Sequence, residues 1–83
     1  MEFSKAASKD VSKLFSTGLK PKAQELLDVL RHNPWQNQPP YEKLIGELSE
    51  AYSRRINRQH RLVYRVDENS HRVDILRMWA HYE

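Results

Sequence analysis

The stretch AYSRRINRQHRLVYRV, residues 51–66, carries the clearest structural pattern in this chain. Its second half alternates between two sets of side chains, which face opposite sides of a strand: Leu62, Tyr64 and Val66 against Arg61, Val63 and Arg65. The segment INRQH is short enough to connect this strand to a preceding one over residues 52–56. The stretch therefore predicts a pair of antiparallel strands.

The flanking segments extend this pair into a sheet with two helices. After the turn DENSH, a last strand is expected from Arg72 to Trp79, and its apolar residues on both faces indicate a bulge or a second covered face. Upstream, apolar residues at helical spacing predict one helix ending before Gly18 and another beginning at Pro21. The segment NPWQNQPP, residues 33–40, predicts a loop. We expect one α+β domain over the whole chain, with two N-terminal helices packed on one face of a small, mainly antiparallel sheet.

Composition excludes several classes of function. The chain has no cysteine, so disulfides and cysteine-bound metals are excluded, and its two glycines cannot form a glycine-rich phosphate loop. It has no HExxH motif or carboxylate cluster, so we expect neither a metal nor another cofactor. No apolar run reaches the roughly 18 residues of a membrane span, and the N-terminus lacks a secretory hydrophobic region. No membrane association and a cytoplasmic location are expected.

Residues 51–66 contain five arginines and no carboxylate, although the net charge of the chain is only +3. Such a run is most often a solvated surface. On a sheet with one face covered by helices, however, Arg61 and Arg65 would project together from the other face. Arg54 and Arg55 are adjacent and point to opposite faces, so only one of them can join this patch. Arginine binds phosphate bidentately and aromatic rings stack on unpaired bases, so the cluster favours a partner that is RNA or a nucleic-acid single strand.

Few side chains are candidates for proton transfer. Glu42 follows the turn PPY, where the alternative is an exposed loop carboxylate. His81 lies in the terminal AHYE, where the alternative is a frayed chain end. The remaining histidines, His32, His60 and His71, are interpreted as surface or structural residues.

The block YEKLIGELSEAYSRRINRQHRLVYRV, together with the final HY, resembles the YoeB/Txe toxins of bacterial toxin–antitoxin systems, which are RelE-like ribonucleases. The segments EKL, SRRI and HRLVY and the terminal HY carry the resemblance over residues 42–82. The resemblance implies a RelE-like fold and a metal-free endoribonuclease that cleaves messenger RNA on the ribosome. It also implies a partly disordered, YefM/Phd-like antitoxin as partner, and it leaves a homodimer possible.

Two groups of site residues are expected. The resemblance implies the catalytic group and Arg55, whereas Arg65 is added because it shares the strand face of Arg61. The catalytic group is Glu42, Arg61, His81 and Tyr82. The RNA-binding group is Arg55, Arg65 and Lys43. Lys43 is included because Ile45 stands where relatives often have a lysine. The chain departs from the family at both ends, since MEF is shorter than the usual first strand and Glu83 follows the tyrosine.

Metal-free RNA cleavage uses the ribose 2′-oxygen as nucleophile, and it needs a base, an acid and cations. Glutamate ordinarily has a pKa of about 4.3 and histidine of about 6.5, so Glu42 is expected to act as the base and His81 as the acid. Arg61 and Arg55 would stabilise the charge on the phosphate. Tyr82 would stack on a base or orient the histidine.

Two other functions share parts of this pattern. ParE-like toxins, which inhibit gyrase by protein contact, have the same fold but lack the Glu, Arg, His and Tyr set. A simple RNA-binding module would use Arg61 and Tyr64. It gives no reason for Glu42, because a carboxylate repels phosphate.

Overall fold

The computed structural model describes residues 1–38, 40–44 and 51–80, the last two of these by their backbone alone. Four residues discussed above, Ile45, His81, Tyr82 and Glu83, lie outside this part of the chain. The elements, in chain order, are β1 (Glu2–Phe3), α1 (Lys5–Phe15), α2 (Lys20–His32), β2 (Tyr41–Lys43), β3 (Tyr52–Arg55), β4 (Arg61–Asp67) and β5 (Arg72–Ala80). Within the described ranges, no helix is long and apolar enough to cross a membrane.

Local chemistry sets the ends of both helices. Ser4 caps α1, because its hydroxyl accepts the N–H of Ala7 at 3.0 Å. The same hydroxyl donates to the carbonyl of Leu76 at 2.7 Å, so the cap also attaches α1 to β5. Gly18 has a φ of +79°, the left-handed conformation predicted after the first helix. Pro21 lies in the first turn of α2, where its missing N–H costs no helical hydrogen bond.

The strands form one five-stranded sheet in the order β1-β5-β4-β3-β2. β1 pairs with β5 in parallel, and every other neighbouring pair is antiparallel. This confirms the predicted α+β fold with two helices on a mainly antiparallel sheet. The first strand is present, but it is only two residues long and lies at the sheet edge, as the short MEF segment suggests.

The main core lies between the helices and one face of the sheet. Leu62 and Tyr64 of β4 are fully buried there, as the alternation predicts, in the same cluster as Leu26 and Leu30 of α2. Full burial of one such side chain stabilises the fold by about 1.5–3 kcal/mol. The core therefore fixes which face of β4 turns away from the helices.

An ion pair between a buried carboxylate and a partly exposed guanidinium attaches α1 to the last strand. Asp10 is almost completely buried, and its carboxylate accepts from Arg77 Nε at 2.8 Å and from the Met78 N–H at 3.0 Å. Loss of Arg77 would destabilise the fold, because the charge of Asp10 would stay buried without its cation. This contact holds the C-terminal half of β5 in place beside the candidate site.

The sheet face opposite the helices is only partly open to solvent. Ala51 and Val63 are fully buried there, and Leu44 and Leu76 pack against them. Register shifts between β4 and β5 interrupt the alternation of β5, so both the predicted bulge and the predicted second covered face are confirmed. This small cluster covers the centre of the face from which Arg61 and Arg65 project.

Candidate nuclease site

The candidate site lies on the sheet face opposite the helices, where β2, β3 and β4 run side by side. Glu42 of β2 pairs with Ser53 of β3, and Arg55 of β3 pairs with Arg61 of β4. Residues directly opposite each other on neighbouring strands point to the same face, and so do residues two apart in one strand. The register therefore places these four side chains together on one face.

Arg61 connects the polar groups of this site. Its Nη1 donates to Glu42 Oε2 at 3.3 Å and to Ser53 Oγ at 3.1 Å. The Arg61 side chain is 17% exposed, whereas the Glu42 side chain is 66% exposed. An ion pair this open to water contributes at most about 1 kcal/mol. The guanidinium is thus held in the sheet surface, and the carboxylate can readily exchange it for a substrate hydroxyl.

Ser53 is a site residue that the sequence pattern did not single out. It is fully buried, and its hydroxyl accepts the hydrogen bond from Arg61 described above. The available signal was its position two residues before Arg55 in the strand YSRR, which places both on one face. Its physical effect is to fix the guanidinium of Arg61 at the centre of the site.

The two other arginines of this face differ in their distance from Glu42. Arg55 is exposed and lies directly opposite Arg61, and it forms no ion pair with the described residues. Two like charges in this arrangement destabilise the strand pair, and a bound phosphate would relieve their repulsion. Arg65 is also exposed, but it lies four residues beyond Arg61, or roughly 13 Å along β4.

Lys43 lies on the other side of the sheet from Glu42. It pairs with Tyr52, which in turn pairs with Tyr64 of the main core. Adjacent residues of a strand point to opposite faces, so Lys43 does not share the site of Glu42. Its contact with RNA stays a prediction that the arrangement of this site does not support.

His81 and Tyr82 lie outside the described residues, so their roles stay predictions. The described part of β5 ends at Ala80, whose backbone pairs with Arg61. The chain thus reaches the arginine of the site one residue before the predicted acid. Among the described residues, no three His, Cys, Asp or Glu side chains lie close enough to bind a metal ion.

Arg54 belongs to the opposite face and has a structural role. It is fully buried, and its Nε donates to the Tyr64 hydroxyl at 3.2 Å. Its Nη2 donates to the carbonyls of Pro34 and Gln36 at 2.9 and 2.6 Å. The prediction that Arg54 and Arg55 face opposite sides is confirmed. Arg54 secures the loop after α2 to the sheet, and Arg55 is the member of the pair that joins the site.

The aromatic rings considered above as stacking surfaces for RNA pack against one another instead. Tyr52 makes ring contacts with Trp35, Tyr41 and Tyr64, at centroid distances of 5.1, 5.7 and 6.0 Å. Tyr64 is fully buried, and desolvation raises the pKa of its phenol although nearby Arg54 opposes that shift. The use of Tyr64 as a base-stacking residue is therefore wrong, because no base can reach its ring.

Comparison with known proteins agrees with this fold. The family model of the YoeB-like toxin of bacterial type II toxin-antitoxin system matches residues 4–82. Toxin YoeB of Mycobacterium bovis and Toxin RelK of Mycobacterium tuberculosis are each 39% identical over 57 residues. That alignment covers 69% of this chain and 65% of each relative, just under two thirds of their length.

Solved structures extend the similarity over nearly the whole chain. The YoeB/ParE toxin from Agrobacterium tumefaciens has a TM-score of 0.87 at 25% identity, with 98% of this chain and 96% of that chain covered. The YoeB dimer from Staphylococcus aureus has a TM-score of 0.82 at 34% identity. The YoeB-YefM complex from the same organism has a TM-score of 0.79 at 36% identity. Each match covers 98% of this chain and 94% of the other chain. With residues 4–82 matched by the family model, the chain belongs to the YoeB-like toxins of bacterial type II toxin–antitoxin systems.

Proposed function

We propose that this toxin is a ribosome-dependent endoribonuclease that cleaves messenger RNA without a metal ion and so arrests translation. The observation that carries the proposal is the exposed Glu42 carboxylate 3.3 Å from Arg61 Nη1, with Arg55 directly opposite Arg61. A carboxylate beside two arginines supplies a base and two phosphate-binding cations within one small surface. A toxin acting only through protein contact, such as a gyrase inhibitor, has no chemical need for this combination.

The proposed reaction proceeds by attack of the ribose 2′-oxygen on the adjacent phosphorus. Glu42 accepts the proton of the 2′-hydroxyl, and the new P–O bond forms as the bond to the 5′-oxygen breaks. His81 donates a proton to that leaving oxygen, which yields a 2′,3′-cyclic phosphate and a 5′-hydroxyl. Arg61 and Arg55 stabilise the negative charge that develops on the phosphate oxygens, and Tyr82 orients the histidine or stacks on a base.

Binding of RNA replaces contacts that the free protein already makes. In the free protein, Arg61 donates to Glu42, so a bound phosphate would compete with the carboxylate for the same guanidinium. Ser53 would keep Arg61 in position during this exchange. Arg65, further along β4, would contact the message away from the bond that is cut. Among the described residues, the site holds few substrate-binding groups of its own, which gives the ribosome a role in positioning the message.

The proposed protein partner is a YefM-like, partly disordered antitoxin. The relative from Staphylococcus aureus forms a YoeB-YefM complex, and it is 36% identical to this chain. Acidic side chains of such a partner would bind the arginines of the site in place of phosphate. The YoeB dimer from the same organism supports a homodimer as a second proposed assembly.

Cleavage with and without ribosomes tests the proposed function. A 5′-labelled message is incubated with the purified toxin alone, and in parallel with ribosomes programmed by the same message. We expect cleavage within codons only in the presence of ribosomes, because the site alone positions the substrate weakly. Inhibition of gyrase supercoiling, with the message intact under both conditions, would contradict the proposal and would favour a toxin that acts by protein contact.

A further inference from the structure

The guanidinium of Arg61 has more hydrogen-bond donors than its contacts in the free toxin use. Its Nη1 donates both to Ser53 Oγ, at 3.1 Å, and to Glu42 Oε2, at 3.3 Å. Its Nε and Nη2 form no hydrogen bond with residues 1–38, 40–44 and 51–80. These two nitrogens lie along one side of the guanidinium, and such a pair can bind two phosphate oxygens at once. The free toxin thus leaves one complete edge of Arg61 for a phosphate.

The two acceptors of Nη1 differ in how permanent their contact can be. Ser53 lies in β3, between Glu42 in β2 and Val63 in β4, and it is fully buried. Glu42, in contrast, is exposed, so water and a substrate hydroxyl can reach its carboxylate. Once a ribose hydroxyl replaces Arg61 on Glu42, the remaining acceptor of Nη1 among the described residues is Ser53. Ser53 is therefore the contact that can persist through the reaction.

Packing alone gives little reason for a hydroxyl at position 53. Its neighbours on this face include Ala51 and Val63, which are apolar and fully buried. Alanine fills the corresponding position two residues earlier, and a buried hydroxyl costs free energy unless it is hydrogen-bonded. Among the described residues, the side-chain partner of Ser53 is Arg61. The serine therefore serves the arginine of the site more than it serves the fold.

The charges around Arg61 change during the proposed reaction, whereas its contact with Ser53 does not depend on them. Arg55 lies directly opposite Arg61, and the two like charges repel. In the free toxin the carboxylate of Glu42 offsets this repulsion, but that carboxylate loses its charge when it takes the proton of the 2′-hydroxyl. A neutral hydroxyl keeps accepting its hydrogen bond throughout. Ser53 can thus hold the guanidinium during the step in which the attraction to Glu42 is lost.

We propose that Ser53 is a positioning residue whose hydroxyl holds Arg61 Nη1, so that the Nε and Nη2 edge of Arg61 binds the scissile phosphate in the transition state. The inference rests on the proposed nuclease function and deepens it, because it assigns the edge of Arg61 that meets the RNA. Ser53 is buried and touches no substrate atom itself. A guanidinium held in advance loses little freedom when it binds a phosphate, so the hydroxyl speeds the chemical step more than it strengthens binding of the message.

A double-mutant cycle tests this proposal. Single-turnover cleavage on programmed ribosomes is measured for the parent, Ser53→Ala, Arg61→Ala and the double variant, over a range of ribosome concentrations. We expect Ser53→Ala to lower the maximal rate by about 10–10²-fold, the effect of losing a hydrogen bond to a charged group. The ribosome concentration that gives half of this rate should stay within about twofold of the parental value. In the Arg61→Ala background, Ser53→Ala should change the rate by less than about twofold, because no guanidinium is left to hold.

Two further measurements separate positioning from a purely structural role. Ser53→Ala should unfold at the parental temperature or above, because it removes a hydroxyl from apolar neighbours. With arginine labelled by nitrogen-15, the Nη protons of Arg61 in the free toxin should exchange with water on the order of tenfold faster in Ser53→Ala than in the parent. Ser12→Ala makes the same chemical change on the exposed side of α1, and it should match the parent in all of these measurements.

Failure of this inference is distinguishable from failure of the nuclease proposal. A message left intact by the parental toxin would overturn both. Where the parent cleaves, a parental rate or parental proton exchange in Ser53→Ala would overturn the inference alone. An equal loss of rate in the Arg61→Ala background would show that the hydroxyl acts through another group, and a lower unfolding temperature for Ser53→Ala would show that it supports the fold.

Discussion

Glu42→Gln is expected to lower the single-turnover rate of message cleavage on programmed ribosomes by about 10²–10⁴-fold. The amide cannot take the proton of the 2′-hydroxyl, yet its oxygen can still accept the hydrogen bond from Arg61. Because Glu42 is exposed, the substitution should change the free energy of unfolding by less than about 0.5 kcal/mol. The expected variant is folded, binds RNA and cleaves slowly.

Glu68→Gln is the matched control for this variant. Glu68 is an exposed carboxylate in the turn after β4, at the end of that strand remote from Arg61, so it undergoes the same chemical change away from the site. We expect it to cleave at the parental rate, and circular dichroism of both variants should show the parental fold. Parental cleavage by Glu42→Gln would show that the carboxylate is not the base.

His81→Gln is expected to slow the same step by about 10²-fold or more, because glutamine cannot donate a proton at neutral pH. The expectation rests on the family resemblance and on the pairing of Ala80 with Arg61, which brings the chain to the site one residue earlier. His71→Gln, an exposed histidine in the turn before β5, is the matched control.

A message with sulfur in place of the 5′-leaving oxygen separates the acid from the base. A thiolate leaves without protonation, so this substrate should restore cleavage by His81→Gln towards the parental rate. It should not restore cleavage by Glu42→Gln, which lacks the base. An unrescued His81→Gln variant, or one that cuts the ordinary message as fast as the parent, would assign the acid to water or to another group.

The sequence was sufficient to predict β3, β4 and β5 but not the three-residue β2. It also predicted the two faces of β4, because alternation is a local property of the chain. It placed Arg54 and Arg55 on opposite faces for the same reason. It could not predict which arginine is buried, because that depends on the carbonyls of Pro34 and Gln36, which approach from the loop after α2. The burial of Arg54 is decided by contacts about 20 residues apart in sequence.

The composition of the site could be predicted only in part. Motif resemblance indicated Glu42 and Arg61, but the register that makes Ser53 their neighbour depends on how three strands align. The same register moves Lys43 to the other face, although it is adjacent to Glu42 in the chain. The buried position of Tyr64 could be predicted, because alternation places it with Leu62 on the face opposite the arginines, which the helices cover.

The central claim is that the ribose 2′-oxygen attacks the phosphate on the face formed by Glu42 and Arg61. The most direct measurement is the single-turnover cleavage, by the parental toxin on ribosomes, of a message with one 2′-deoxynucleotide at the position that is normally cut. The account predicts that this bond stays intact while an otherwise identical all-ribose message is cut and ends in a 2′,3′-cyclic phosphate. Cleavage of the 2′-deoxy bond at the parental rate would contradict it, because the proposed nucleophile would then be absent.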